Sequence, residues 1–290
     1  ARRADTRVEG GYIRGGIEPH RADREIFLGG PFGPTVTGTA NVLSAAVLTP
    51  GTTVIQGAAL EPEVEDLGRF LQALGARIEG LGSPTLLVHG VDRLVGAGHR
   101  IIADRIEAGT FLAAAAMTGG DVIVRGAEAA HLAAPLALLE RMGFLVERRS
   151  DGALHLLAGA GRSRPADVVT LPYPGFPTDL QAQFMALLCV ADGNSFVTEK
   201  IYPERFIHVA ELQRMGARIR KEGPTAIVEG VPRLSGCPVM ASDLRASAAL
   251  VVAGLAAQGT SVVERVYHID RGYERIEERL AALGARIRRV

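Results

Sequence analysis

Four stretches of this chain read as helices with no polar face: 39–51, 109–119, 180–193 and 244–259. Each is rich in alanine and ends at glycine. A helix that is apolar all round must be covered all round. Such a set cannot line one side of an ordinary sheet, so the chain has to place several helices against one another with other elements outside them. Each stretch is followed by a β-branched run, TTVIQG, DVIVRG, SFVTEK or TSVVER, which reads as a strand. Then comes an amphipathic helix. In 63–74 the residues Val64, Leu67, Phe70, Leu71 and Leu74 share one face, and Phe206, Val209, Leu212 and Met215 repeat the spacing. A glycine follows each of these helices as a plausible left-handed terminator, and two strands close the unit, as in ARIEG and TLLVHG.

The unit is therefore βαβαββ, and it recurs. The phrases LGARIEG at Leu74, RMGFLVERR at Arg141, RMGARIRKEG at Arg214 and LGARIRRV at Leu283 mark the repeat. The period is roughly 70 residues, longer than the common solenoid repeats, so a whole small fold is duplicated. Apolar helices gathered inside and sheets outside predict an inside-out α/β arrangement. Residues 1–20 read as closing strands of a unit whose opening is not in the sequence, with GGYIRG in the place of TLLVHG. ARIRRV at the other end reads as a single closing strand without its partner. A break near GAGHRIIA divides the chain into domains 1–103 and 104–290, the first incomplete and the second holding three units.

Lysine plus arginine and aspartate plus glutamate both number 32. A balanced charge offers no footing for a nucleic-acid or membrane-surface role. No apolar run has transmembrane length. Cys189 and Cys237 have no metal or disulfide spacing. Cys189 reads as a small core hydrophobe, and the pair fits a reducing cytoplasm.

Three of the apolar helices begin alike, with ADRIEAG, TDLQAQ and SDLRAS. Asp104, Asp179 and Asp243 hold equivalent places there. Aspartate before a helix is first of all a cap. Asp179 differs in its approach, TLPYPGFP, whose prolines stiffen the chain ahead of it. A carboxylate delivered by a rigid loop is either a cap or a catalytic group. Arg205, Arg245 and Arg271 open three successive elements and would converge on one cleft as an anion site. The alternative for each is a surface ion pair. His208 and His268 lie beside such arginines but lack metal-ligand spacing. GGPFGPTVTGT at Gly29 either offers backbone amides to a phosphate or simply permits tight turns, and it matches neither the Walker nor the dinucleotide pattern.

DRIEAGTF, FPTDLQAQF, ERFIHVAELQRMGA, SDLRASAALVVAG and YHIDRGYERIEERLAALGA together resemble the UDP-N-acetylglucosamine enolpyruvyl transferases (1-carboxyvinyltransferases) of bacterial peptidoglycan synthesis. The resemblance implies two domains of repeated βαβαββ units in an inside-out α/β barrel. It implies transfer of enolpyruvyl from phosphoenolpyruvate to the 3′-hydroxyl of UDP-N-acetylglucosamine, with release of phosphate through a tetrahedral intermediate. It implies no cofactor or metal; with the charge and cysteine reading above, a cytoplasmic location and no nucleic-acid or membrane partner are expected, and a monomer is favoured with the oligomeric state left open. By motif, Asp179 corresponds to the proposed base on the sugar hydroxyl and Ile201 to a backbone contact with the nucleotide sugar. Arg205, Arg245 and Arg271 correspond to arginines around the phosphoenolpyruvate anion, with Arg271 in a catalytic role. Thr35, Val36, Thr37 and Gly38 align with a loop that touches UDP, with a looser fit because GGPFGP replaces the family's usual approach. The family's lysine–asparagine pair and its loop bearing a cysteine or aspartate proton donor would precede Ala1, so a chain that began at Ala1 is expected to be inactive. The alternatives are the sister transferase acting on 3-phosphoshikimate and a non-catalytic paralogue that binds UDP-sugars; the YHIDRGYERIEERL ending speaks against the sister transferase.

Overall fold

The computed structural model describes residues 5–16, 23–159 and 161–290. The chain divides into two compact units, Ala1–Ile102 and Ala103–Val290.

Unit 1 opens with an antiparallel hairpin, β1 (Asp5–Glu9) and β2 (Tyr12–Gly16). Of the stretch expected to supply closing strands, 1–4 and 17–20 lie outside the described residues. One full βαβαββ repeat follows. It comprises β3 (Arg24–Phe27), a two-rung hairpin of β4 (Gly29–Gly30) and β5 (Gly33–Pro34), α1 (Val36–Ala46), β6 (Thr52–Gln56), α2 (Pro62–Ala73), β7 (Arg77–Glu79) and β8 (Thr85–His89). The sheet order is β3-β6-β8-β7, with β3 parallel to β6 and the other pairs antiparallel. Ile55, Leu86 and Val88 on its inner face pack with Leu43 and Leu71.

Helix α1 corrects an expectation. It buries only Thr39, Leu43 and Ala46 rather than every side. Within unit 1 it has α2 and one sheet against it, so a single stripe suffices. It also starts earlier than the apolar run, because Thr35 caps it: Thr35 Oγ1 accepts from Gly38 N at 3.2 Å.

Unit 2 holds three repeats. The first has α3 (Arg105–Thr118), β9 (Asp121–Val124), α4 (Ala133–Arg141), β10 (Leu145–Arg148) and β11 (Leu154–Leu157), in sheet order β10-β11-β9. No strand precedes α3 among the described residues. The chain there serves as a connector tied to unit 1, through Val95 N to Leu74 O at 2.8 Å and His99 Nε2 to Asp66 Oδ1 at 2.9 Å. The second repeat is complete: β12 (Val168–Val169), α5 (Gln181–Leu188), β13 (Asn194–Thr198), α6 (Val209–Arg214), β14 (Arg218–Glu222) and β15 (Thr225–Glu229). Its sheet order, β12-β13-β15-β14, reproduces that of unit 1, with the first pair parallel. The third has β16 (Pro238–Met240), α7 (Leu244–Ala256), a parallel β17 (Val262–Glu264) and α8 (Ile276–Ala282). The strand expected from ARIRRV does not form. Among the described residues no neighbouring strand takes up its backbone groups, and Arg289 is instead held by both oxygens of Asp270, at 3.0 and 2.6 Å, and by Glu277.

Helices α3, α5 and α7 pack on one another at the centre of unit 2. Every residue of α5 is buried, and α7 is buried from Ala246 through Ala253. Phe184, Met185 and Leu188 have no exposed surface. Full burial of such a side chain contributes about 1.5–3 kcal/mol each. The sheets present one face to these helices and the other to solvent: in β13, Ser195 and Val197 are buried while Phe196 is exposed. Alanine-rich surfaces bring the helices close. At Gly109 of α3 an added Cβ would stand 2.5 Å from Leu180 Cδ1.

Candidate active site

The proline-rich approach is a compact loop. Leu171 N donates to Phe176 O at 3.0 Å and Gly175 N to Pro172 O at 2.8 Å. Phe176 anchors it by meeting Phe184 edge to face, with ring centroids 5.1 Å apart. Pro177, at φ −72° and ψ 133°, is the last extended residue. Thr178, Asp179 and Leu180 then form a 3-10 turn that runs into α5.

Asp179 therefore lies inside a helical turn, not ahead of one. It makes no side-chain cap bond. Its two repeat equivalents do: Asp104 Oδ1 accepts from Ile106 N and Glu107 N at 2.8 and 3.0 Å, and Asp243 Oδ1 from Arg245 N and Ala246 N, both at 2.8 Å. The Asp179 carboxylate is held by two guanidinium groups instead. Arg205 Nη1 donates to Oδ1 at 2.7 Å, and Arg245 Nη2 donates to Oδ2 at 2.8 Å. Burial pushes the carboxyl up, but Arg245 and then Arg205 outweigh it and hold it below the usual carboxylate range. One carboxylate between two guanidinium groups leaves a net positive charge.

A buried polar cluster lies beneath. The Tyr273 hydroxyl meets Thr110 Oγ1 of α3 at 2.8 Å, Gln183 Nε2 of α5 at 3.3 Å and Arg245 Nη1 of α7 at 3.4 Å. Gln183 Nε2 also donates to the Asp179 carbonyl at 3.0 Å. Burial raises the Tyr273 phenol despite Arg245, which keeps it protonated. The N-terminal halves of α3, α5 and α7 thus meet around one hydroxyl. On the other side, Arg205 Nη1 donates to Thr178 Oγ1 at 3.0 Å, and its guanidinium lies 5.5 Å from the Tyr202 ring centroid. Ile201 N donates to Glu199 Oε1 at 2.9 Å.

Of the three arginines expected to converge, two do. Arg271 closes a 3-10 turn, Val266–Arg271, and its side chain is exposed without a hydrogen bond or ion pair among the described residues. Thr35, Val36, Thr37 and Gly38 belong to unit 1, where they form the cap and first turn of α1. The Gly29 loop is a tight hairpin ahead of that helix. Sequence reasoning missed Tyr273, Thr110, Gln183 and Glu199. The signal for Thr110 and Gln183 was there: a polar residue inside an all-apolar helix has to find a buried partner. Among the described residues no group of three or more His, Cys, Asp or Glu is placed to hold a metal, and no helix is long and apolar enough to cross a membrane.

A fold of repeated βαβαββ units with a carboxylate clamped by arginines at the helix ends defines a class. Residues 31–280 match the family model for EPSP synthase (3-phosphoshikimate 1-carboxyvinyltransferase). Among solved structures, the enolpyruvyl transferase NikO from Streptomyces tendae superposes with a TM-score of 0.85 at 28% identity, over 98% of this chain and 69% of that one. EPSP synthase from Acinetobacter baumannii has a TM-score of 0.72 at 18% identity over 98% of this chain and 68% of that one, a likeness of fold alone. The UDP-N-acetylglucosamine 1-carboxyvinyltransferase of Anaeromyxobacter sp. (strain K) is 55% identical over 287 residues, covering 99% of this chain and 67% of that protein. That of Nitratidesulfovibrio vulgaris (strain Hildenborough) is 57% identical over 256 residues, covering 88% and 61%. The chain belongs to the UDP-N-acetylglucosamine 1-carboxyvinyltransferases, within the enolpyruvyl transferase family.

Proposed function

We propose that this chain transfers the enolpyruvyl group of phosphoenolpyruvate to the 3′-hydroxyl of UDP-N-acetylglucosamine, releasing phosphate; its relatives are named UDP-N-acetylglucosamine 1-carboxyvinyltransferases. In this reading Asp179 contacts the acceptor hydroxyl and takes its proton. Arg205, Arg245 and Arg271 receive the phosphoenolpyruvate anion, the backbone at Ile201 contacts the nucleotide sugar, and Thr35, Val36, Thr37 and Gly38 contact UDP. The observation that carries it is the Asp179 carboxylate: alone among three repeat-equivalent aspartates, it is spared from capping and paired with two arginines. The net positive charge of that group suits an anionic donor.

Chemistry on the acceptor needs a base, and a doubly paired carboxylate is a poor one. A substrate anion that draws a guanidinium toward itself removes part of that pairing, so Asp179 gains basicity as the donor is bound. The hydroxyl oxygen adds to C2 of phosphoenolpyruvate as its own proton goes to Asp179 and a proton is added at C3, giving a tetrahedral ketal phosphate; loss of a proton from C3 with departure of phosphate from C2 restores the double bond and completes the transfer. The closed inside-out barrel, a monomeric state and a cytoplasmic location belong to the same reading. Central packing of α3, α5 and α7 supports the first of these. The 55% identity favours UDP-N-acetylglucosamine over the 3-phosphoshikimate reaction.

The test is phosphate release from phosphoenolpyruvate with and without UDP-N-acetylglucosamine, for the wild type and Asp179→Asn. Sugar-dependent release, lost in the variant, is expected. Release that ignores the sugar, or that survives the substitution, would sink the assignment.

A further inference from the structure

Glu199 follows β13 and has no exposed surface. It accepts four hydrogen bonds. Oε1 takes them from Thr170 Oγ1, from Ile201 N at 2.9 Å and from Tyr202 N at 3.0 Å, and Oε2 takes one from Thr178 Oγ1 at 2.9 Å. Thr170 and Thr178 stand at the two ends of the proline-rich loop. Ile201 and Tyr202 begin the turn that leads to Arg205. One buried side chain thus joins the segment carrying Asp179 to the segment carrying its guanidinium partner.

Two routes run from Glu199 to Arg205. The first is through backbone: Glu199 receives Tyr202 N, and Tyr202 O in turn receives Arg205 N at 2.8 Å. The second is through the Thr178 hydroxyl. That hydroxyl has one proton and gives it to Glu199, so its lone pairs are left for Arg205 Nη1 at 3.0 Å. The same Nη1 reaches Asp179 Oδ1 at 2.7 Å. An acceptor-only group at the start of the chain orders every donor after it. An amide in its place offers a donor of its own, and the Thr178 hydroxyl could then turn its proton toward Arg205. Such polar networks act as units, since each buried member depends on the next.

We propose that Glu199 is the positioning residue of the site, acting through Thr178 and the 199–202 turn to set Arg205 on Asp179. It touches no reacting atom in this account. The inference rests on the reading of Asp179 as the reacting carboxylate, but its geometry does not. The charged and polar groups facing Asp179 are Arg205 from the turn, Arg245 from α7 with Tyr273 behind it, and Gln183 from α5, which bonds its carbonyl.

The decisive measurement is a carbon-13 NMR titration of Asp179 in the full chain, for the wild type, Glu199→Gln and Thr178→Val, alongside kcat, KM and thermal melting. Loosening Arg205 weakens its hold on the carboxylate, so the Asp179 titration is expected to move up in both variants. The activity readout is about a 10- to 100-fold fall in kcat, as for a small misplacement of a reacting group, with KM changed far less. A shift in Glu199→Gln alone assigns the coupling to the backbone route and upholds the proposal. A lower melting temperature with the Asp179 titration unmoved in both variants reduces Glu199 to a loop anchor and overturns it. Where Glu199→Gln fails to fold, Thr178→Val decides by the same shift. A wild type without turnover defeats the proposed function while the titration still judges Glu199.

Discussion

Asp104 and Asp243 on one side, and Asp179 on the other, begin three copies of the same helix and end in different chemistry. The first two sit in extended backbone, at φ −70° and ψ 103° and at φ −153° and ψ 175°, so their carboxylates fold back onto the amides of the first turn. The chain reaches Asp179 already turning. Pro177 holds the last extended position, Thr178 begins the 3-10 turn, and the carboxylate faces outward to Arg205 and Arg245. A repeat multiplies a residue, but the approach to it decides whether that residue holds the helix or pairs with side chains from other elements. The capping energy given up at α5 is about 1 kcal/mol. Helices α3 and α7 both pack on α5, and burial of its apolar side chains more than offsets that loss.

The comparison breaks most visibly in turnover. Asp179→Asn is expected to lower kcat by about 100- to 10,000-fold, or roughly 3–5 kcal/mol in barrier, while Asp104→Ala keeps its turnover. Comparable losses in both would erase the distinction. Next in size is a background that has to be removed before acid stability can be compared. His208 is buried, its Nε2 has no partner among the described residues, and burial pushes it down to about 4, against a weaker upward pull from Asp243. The unfolded chain protonates this histidine near its ordinary value and the folded chain resists. Stability is therefore whole above about pH 6.5 and drains as pH falls toward 4, by about 3 kcal/mol. Urea melts across that range should flatten in His208→Leu.

With that slope gone, Arg245→Gln sharpens the case for Asp179. Loss of a charged hydrogen-bond partner costs about 1.5–3 kcal/mol. The acid limb of kcat/KM should move to higher pH, because the carboxylate returns toward its ordinary range. An unmoved limb would mean that Arg245 does not govern Asp179. In the folding equilibrium the sign is the usual one for a depressed carboxyl: its contribution is present above the ordinary carboxylate range and is lost as pH falls through the lowered folded value. The smallest effect is the cap itself. Asp104→Ala and Asp243→Ala should each lose about 1 kcal/mol by denaturant titration, and Asp179→Ala should lose no comparable capping contribution.

Much of this was legible because the repeat is periodic in both hydrophobicity and motif. The two complete βαβαββ sheets and the buried α3, α5 and α7 follow from patterns within one segment, and the convergence of Arg205 with Arg245 from their places at the starts of successive elements. What escaped depends on neighbours in space. The apolar run around Leu43 looks like the other three, yet α1 has only one side to cover. ARIRRV has the residues of a strand and, among the described residues, no strand beside it. Arg271 stands in a motif as specific as that of Arg245, but its turn carries it outward, and Tyr273 two residues later turns inward to take the place beside Arg245. Glu199 reads as an ordinary charge at a strand end, because nothing in TEKIYPER announces that four donors converge on it.

The contact at Gly109 bears on how such a chain can drift over generations. In an isolated helix an alanine there would be favoured by about 1 kcal/mol. Here the added carbon would press on Leu180, a fully buried side chain, and Leu180 is the immediate neighbour of Asp179. Any lineage that accepts the more helix-forming residue must repack the Leu180 side chain, one residue from Asp179. The variation open to this turn of α3 is thus narrowed by its packing against the segment that carries Asp179.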